Sequence, residues 1–139
     1  SRLAFPHNVR LFAATSPDDL VPVDHALVSR RSLPNEAIIR EGEDGDRLCI
    51  IFSGTVAVTK GGHELARLAA GDFFGEMALF DDEPRSATVT AIDDVEVLEL
   101  ERDRFRSLVR QRPSILMELC STLVRRLRQA EQQVLPAAE

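Results

Sequence analysis

The chain has 139 residues, 44% of them hydrophobic, with 17 Lys and Arg against 23 Asp and Glu for a formal net charge of -6. That length suits one domain around one core, and the acidic balance excludes a nucleic-acid surface spread over the whole domain. No apolar run approaches the ~18 residues of a membrane span, and no basic stretch followed by an apolar one opens the chain, so no secretory leader is expected.

Residues 1–31 read as helical, with breaks at Pro6, Pro17 and Pro22. Ser16-Pro17-Asp18-Asp19-Leu20 is a helix start: a capping hydroxyl, proline at the first helical position, then acids in the first turn. From Leu33 the pattern turns to strands. Ile38-Ile39 is a short one, and Glu41-Gly42-Glu43-Asp44-Gly45-Asp46 is a turn-rich break. Leu48 to Phe52 is a continuous apolar strand ended by Ser53-Gly54. Val56 to Thr59 follows, Gly61-Gly62 marks a hairpin, and Leu65, Ala66 and Leu68 make the return strand before Ala70-Gly71-Asp72. Ala87 to Ile92 and Val95 to Leu100 are two more strands, parted by Asp93-Asp94. Short strands with turns every ~8–12 residues predict a barrel or roll.

The chain closes in helices. Arg102 to Arg112 is one, stopped by Pro113, and Ser114 to Val134 is the other. In the second, Leu116, Cys120, Leu123, Leu127, Ala130 and Val134 follow a 4-3-4-3-4 spacing, which is one apolar stripe. The stripe can pack on its own domain or on a second copy. Cys49 and Cys120 both sit in apolar contexts and are expected as buried free thiols in a reducing compartment. The fold class is therefore α+β, an antiparallel β-roll of the jelly-roll or double-stranded β-helix kind. One domain spans 1–135: helices over 1–31, the roll over 32–100, helices over 101–135. Residues 136–139 are a tail.

One stretch inside the roll carries chemistry: Phe73 to Val89, reading FFGEMALFDDEPRSATV. Gly75 lets the backbone approach a ligand closely. The N–H groups of a helix start face an anion. Arg85 supplies a planar donor fork for phosphate oxygens. Glu76 can only accept hydrogen bonds, so it suits a ribose hydroxyl and not a phosphate. Together these suit one small phosphorylated ligand. Carboxylates outnumber Lys and Arg through residue 100 and the reverse holds after it, so an anion site at Arg85 has to be built by local geometry.

This stretch resembles the phosphate-binding cassette of the cyclic nucleotide-binding domain family, which includes catabolite activator proteins, regulatory subunits of cyclic-AMP-dependent kinases and cyclic-nucleotide-gated channels. Phe74-Gly75-Glu76-Met77-Ala78-Leu79, a loop over Phe80 to Pro84, and Arg85-Ser86-Ala87-Thr88-Val89 fill every position as that family would. Leu33 to Asp46 is similar to a second family segment, with Asn35 where glycine is usual, a residue that also tolerates positive φ. Cys49 stands where the family often has an aromatic, and Ser53-Gly54-Thr55-Val56 matches a further motif. The likeness covers roughly residues 10 to 130.

The resemblance implies that Arg85 takes a cyclic phosphate and that Glu76 accepts from the ribose 2′-hydroxyl. Phe74, Gly75, Met77, Ala78 and Ala87 contribute space or backbone donors. Val58 and Val89 face the base, and the helix from Ser114 folds over it, with Arg125 or Arg126 as a cap. Ser86 bears on base choice: threonine there goes with cyclic GMP, alanine or serine more often with cyclic AMP. The expected ligand is therefore cAMP, with cGMP second.

Metal and catalytic readings find little. His7, His25 and His63 are scattered, without the clustered histidines of a cupin-like metal site. No nucleophile motif is present, and Glu43-Asp44, Asp81-Asp82-Glu83 and Asp93-Asp94 sit in turns. The chain reads as a sensor and not an enzyme, without cofactor or metal, in a cytoplasmic setting. It is expected to serve an effector domain of a longer parent, to touch neither nucleic acid nor membrane itself, and to form a homodimer if the closing stripe pairs. The alternative is a structural or protein-interaction module of the same fold that has lost its ligand. Glu76 and Arg85, both present, favour the sensor.

Overall fold

The computed structural model describes residue 12 and residues 15–138, with side chains through residue 132. The helix start at Ser16 is as read: α1 (Pro17–Ala26) has Pro17 at its first turn, and the Asp19 N–H donates to Ser16 Oγ at 3.4 Å. Pro22 lies inside α1 and does not break it. Leu20 and Val23, buried on either side of it, hold the turn in place of the missing bond. The expected break at Pro6 lies outside the described residues.

Eight strands follow: β1 (Val28–Ser32), β2 (Ala37–Ile39), β3 (Arg47–Ser53), β4 (Thr55–Lys60), β5 (His63–Ala69), β6 (Phe73–Phe74), β7 (Thr88–Ala91) and β8 (Val95–Glu101). Residues 28–31, expected to be helical, belong to β1. Their side chains are exposed, so they carry no alternating apolar signal. Pairing decides instead, with β1 running antiparallel to β8 from Val28↔Glu99 to Ser32↔Val95. The β4–β5 hairpin turns through Gly61 (φ 58) and Gly62 (φ 82), both left-handed as a two-residue type I′ turn requires.

The strands form two antiparallel four-stranded sheets, in orders β1-β8-β3-β6 and β2-β7-β4-β5. Apart from its exposed edge strand β1, the first sheet is buried on both faces. Leu48, Ile50, Phe73, Leu98 and Leu100 turn toward the helices, where Phe12, Leu20 and Val23 meet them. Cys49, Ile51, Phe74, Val95 and Val97 turn toward the second sheet and meet Val56, Val89 and Ala91. This explains the unbroken apolar run at Leu48 to Phe52: alternate side chains serve two different cores.

Two helices close the chain, α2 (Arg102–Gln111) and α3 (Ser114–Ala138). Of the expected tail, residues 136–138 continue α3, and residue 139 lies outside the described residues. The expected stripe is split. Ile115 and Leu119 are fully buried beside Phe105 and Leu108, with Leu116 and Leu123 half-buried against them. Cys120, Leu127 and Ala130 face outward, and the side chain of Val134 lies outside the described set. Docking on α2 selects the face one residue away from the one the spacing suggested. Cys49 is buried as expected, and Cys120 is not.

Asp19 ties the N-terminal helix to the α2–α3 corner. Its carboxylate is almost wholly buried, accepting from Ser114 Oγ at 2.6 Å and Arg112 Nη1 at 2.9 Å. The Ser114 hydroxyl, with Arg112 and Ser16 assisting, lowers its pKa below the ordinary aspartate value. The native state thus holds this proton off more strongly than the unfolded chain does. Asp19 contributes stability above the unfolded value of about 3.9, and that stability is lost as pH falls through the lower native value. Asp19→Ala should lower the unfolding free energy by about 1–3 kcal/mol near neutral pH, and the deficit should shrink in acid. Urea unfolding of both proteins at neutral pH and near pH 3 measures it. An equal deficit at both pH values would rule out the carboxylate charge as the clamp.

Candidate functional site

β6 positions the candidate site. It pairs with β3 through Cys49↔Phe74 and Ile50↔Phe73, so adjacent phenylalanines face opposite cores. Phe73 joins the helix-side core and Phe74 the space between the sheets. At Gly75 the chain turns left-handed (φ 78) into one turn of 3-10 helix, Glu76–Leu79. A Cβ at Gly75 would lie 2.8 Å from Arg85 Nη1 and 3.2 Å from the Arg47 carbonyl oxygen. Glycine is thus required twice over, by dihedral and by space.

Arg85 is held through its main chain and its side chain. Its N–H donates to Glu43 O, and its carbonyl accepts from the Gly42 N–H, both at 2.8 Å. Its guanidinium donates to Gly75 O (3.3 Å) and Arg47 O (2.9 Å). It bonds to carbonyl dipoles and not to a carboxylate, so its full positive charge remains for an anion.

All ten residues expected to touch a ligand line one pocket of about 280 Å³: Val58, Phe74, Gly75, Glu76, Met77, Ala78, Arg85, Ser86, Ala87 and Val89. That volume is near the lower end of the ~300–1,000 Å³ usual for small-molecule sites. Arg85 is the one cationic side chain among its lining residues. Four more residues belong to the lining: Ile39, Asp81, Glu83 and Pro84. The last three sit in the cassette loop, where contiguity was the available signal. Ile39 arrives through the strand register, paired with Val89.

The candidate caps are placed elsewhere. Arg126 lies over the Phe73 ring, 4.4 Å from its centroid, on the helix side of the sheet, and Arg125 is exposed. A wider polar cleft of about 480 Å³ lies beside the pocket, lined by Asp44, Gly45, Asp46, Asp82 and Arg102. It has no apolar wall on which a base would stack.

Behind the pocket, Glu99 is buried and accepts from Arg47 Nη1 at 3.2 Å, with Arg30 Nε at the same distance. Cys49 Sγ lies 4.0 Å from Glu99. Burial, with the Glu99 charge adding to it, pushes the Cys49 thiol up to about 12. That thiol stays protonated at neutral pH and is a poor nucleophile.

The model of the cyclic nucleotide-binding domain family matches residues 29–112. The chain belongs to that family. It is 38% identical over 129 residues to the cyclic AMP receptor protein of Thermus thermophilus, covering 87% of this chain and 58% of the relative. It is 34% identical over 105 residues to a cAMP-dependent protein kinase regulatory subunit of Hypocrea atroviridis, covering 76% of this chain and 23% of that one. The crystal structure of the Thermus thermophilus catabolite activator protein superposes with a TM-score of 0.81 at 32% identity, over 93% of this chain and 63% of that one. This cyclic nucleotide-binding domain therefore spans only part of the curated relatives it matches. Among its described residues no helix is long and apolar enough to cross a membrane.

The two cysteines should separate by reactivity. An aromatic disulfide reagent at neutral pH should titrate about one thiol per native chain, at Cys120, and the second only after unfolding. Rapid modification of both in the native protein would place Cys49 outside the core.

Proposed function

We propose that this domain is a cyclic nucleotide sensor, with cAMP as its preferred ligand, that passes ligand binding to its C-terminal helices. The observation that carries the reading is the pocket itself. It gathers Glu76 and Arg85 on one wall and Val58, Phe74 and Val89 on another. Arg85 takes the cyclic phosphate in a bidentate grip. Glu76, half-buried one residue past the Gly75 turn, accepts from the ribose 2′-hydroxyl. The apolar wall receives the purine. Ser86 supports cAMP over cGMP, and the relatives' names include a cyclic AMP receptor and a cAMP-dependent kinase subunit beside cGMP-dependent kinases. On this reading the domain regulates a partner domain of a longer parent.

The route to the helices starts at the cassette. Phe80 stacks edge-on against Phe105 of α2, centroids 5.7 Å apart at 81°. Leu79 is buried in the helix-side core while Ala78 lines the pocket. A ligand that draws the cassette inward therefore moves groups in direct contact with α2. Such a ligand shifts the helices only by its differential affinity for the two arrangements, typically ~1–3 kcal/mol.

α3 also presents Met117, Val124 and Leu127 to solvent, each more than half exposed, with Cys120 between them. Met117, Cys120, Val124 and Leu127 are spaced 3-4-3, the seam of a coiled coil. A second copy of the same helix satisfies that seam, giving a parallel homodimer.

Four outcomes are expected. Calorimetry should show cAMP binding, with cGMP weaker. Arg85→Ala should weaken it by about 30-fold or more without unfolding the roll, and an affinity equal to that of the original chain would remove Arg85 from the site. Absence of any cyclic nucleotide binding would favour the ligandless interaction module. Glu76→Gln should weaken cAMP less than Arg85→Ala does, and 2′-deoxy-cAMP should lose little further affinity in that variant. Leu127→Glu should convert a dimer to a monomer in sedimentation, with cAMP affinity changed only through any dimer linkage. A dimer that survives Leu127→Glu would place the contact elsewhere.

A further inference from the structure

We propose that Arg102, the first residue of α2, is a positioning residue for the phosphate-binding guanidinium of Arg85. The inference rests on the reading of Arg85 as the phosphate ligand and adds a residue outside the cassette. Arg85 lies between two walls. One is the turn at Asp44-Gly45-Asp46. The other is the cassette, from Gly75 through the short helix to Asp82. Neither wall is fixed by a strand ladder at that point, since β3 begins at Arg47 and β6 ends at Phe74.

Arg102 fastens one wall to the other. Its Nε donates to Ala78 O at 2.6 Å, and its Nη2 donates to Asp81 O and Gly45 O, each at 3.0 Å. Its Nη1 donates to Asp82 Oδ1 at 2.7 Å, and its own backbone N–H donates to Asp46 O at 2.7 Å. One planar fork thus spans both walls, which lysine, a point charge with a single nitrogen, does not reproduce. The Arg102 side chain is 17% exposed and the Asp82 carboxylate 88%. The carbonyl contacts are accordingly the important ones, and the ion pair is a solvated addition.

Gly45 shows why the separation of the walls matters. A Cβ at Gly45 would overlap Nε and Cζ of Arg85. Gly45 is not among the glycines at positive φ. Its reason for being glycine is therefore the guanidinium packed against it. Arg102 holds the carbonyl of that same residue. Letting go of Gly45 O and Ala78 O frees the walls on both sides of Arg85. The guanidinium then loses its bonds to Gly75 O and Arg47 O.

The test uses the full chain and two readouts. The first is the side-chain Nε–H resonance of Arg85 by nitrogen-15 NMR without ligand, assigned by its loss in Arg85→Ala. Arg102→Lys should shift it and speed its solvent exchange, Gly45→Ala should do the same with Arg102 intact, and Asp82→Asn should leave it unchanged. The second is cAMP affinity by calorimetry. Arg102→Lys should weaken binding about tenfold or more, while in the Arg85→Ala background the same change should cost almost nothing. A merely structural contribution would instead add in the two backgrounds. Additive losses, or an Arg85 resonance unmoved in both Arg102→Lys and Gly45→Ala, would overturn the proposal. Should the original chain bind neither cAMP nor cGMP, the sensor reading fails, and the resonance alone still decides whether Arg102 sets Arg85.

Discussion

A single sheet buried on both faces is the constraint from which the rest of this molecule follows. The β1-β8-β3-β6 sheet gives one face to the helices and the other to the second sheet. Side chains one residue apart therefore belong to different cores. Phe73 carries Arg126 of α3 on its ring while Phe74 walls the pocket. A small shift of β6 is felt on both sides at once, because close-packed cores transmit displacement and do not absorb it. The pocket and the helices are mechanical neighbours although no described α3 side chain lines the pocket.

The same sheet solves an electrostatic problem. The roll is acidic, yet its pocket needs one uncompensated cation. Glu76, Asp81 and Glu83 line the same pocket, but among the described residues none of them pairs with Arg85. Glu99 is occupied by Arg47 and Arg30. Arg85 is held by carbonyl oxygens of Gly75 and Arg47, dipoles that orient a guanidinium without neutralising it. An anion entering the pocket replaces water at Arg85 and does not have to displace an ion-pair partner.

Much of this was legible in the sequence because the relevant chemistry is contiguous. Gly75, Glu76 and Arg85 sit within one cassette whose turn, acid and donor fork each have a separate physical reason. The helix start at Ser16 and the Gly61-Gly62 hairpin were legible for the same reason, being local. What escaped was set by long-range pairing. β1 is a strand because β8 lies beside it, not because Val28 to Ser32 alternates. Ile39 reaches the pocket only through its register with Val89. On α3 two apolar sets share one helix, Ile115, Leu119 and Leu123 beside Cys120, Val124 and Leu127, and spacing alone does not say which faces inward. Contact with Phe105 and Leu108 decides it. Arg102 carries no local mark either, since its partners are backbone carbonyls at Gly45, Ala78 and Asp81.

The Gly61-Gly62 hairpin has a use that neither pocket nor helices share. Nothing lies within 4 Å of a Cβ built on either glycine. The strand beyond it, β5, is an edge strand paired only with β4. Exposed tips of this kind are where whole domains are accepted as insertions. From that tip β4 passes a register shift at Thr59 to reach Val58, which is both a pocket wall and the register partner of Val89. A fluorescent protein spliced between the two glycines would be joined to that pocket wall by one short ladder. The hairpin is thus a port through which an artificial output can be built into the domain.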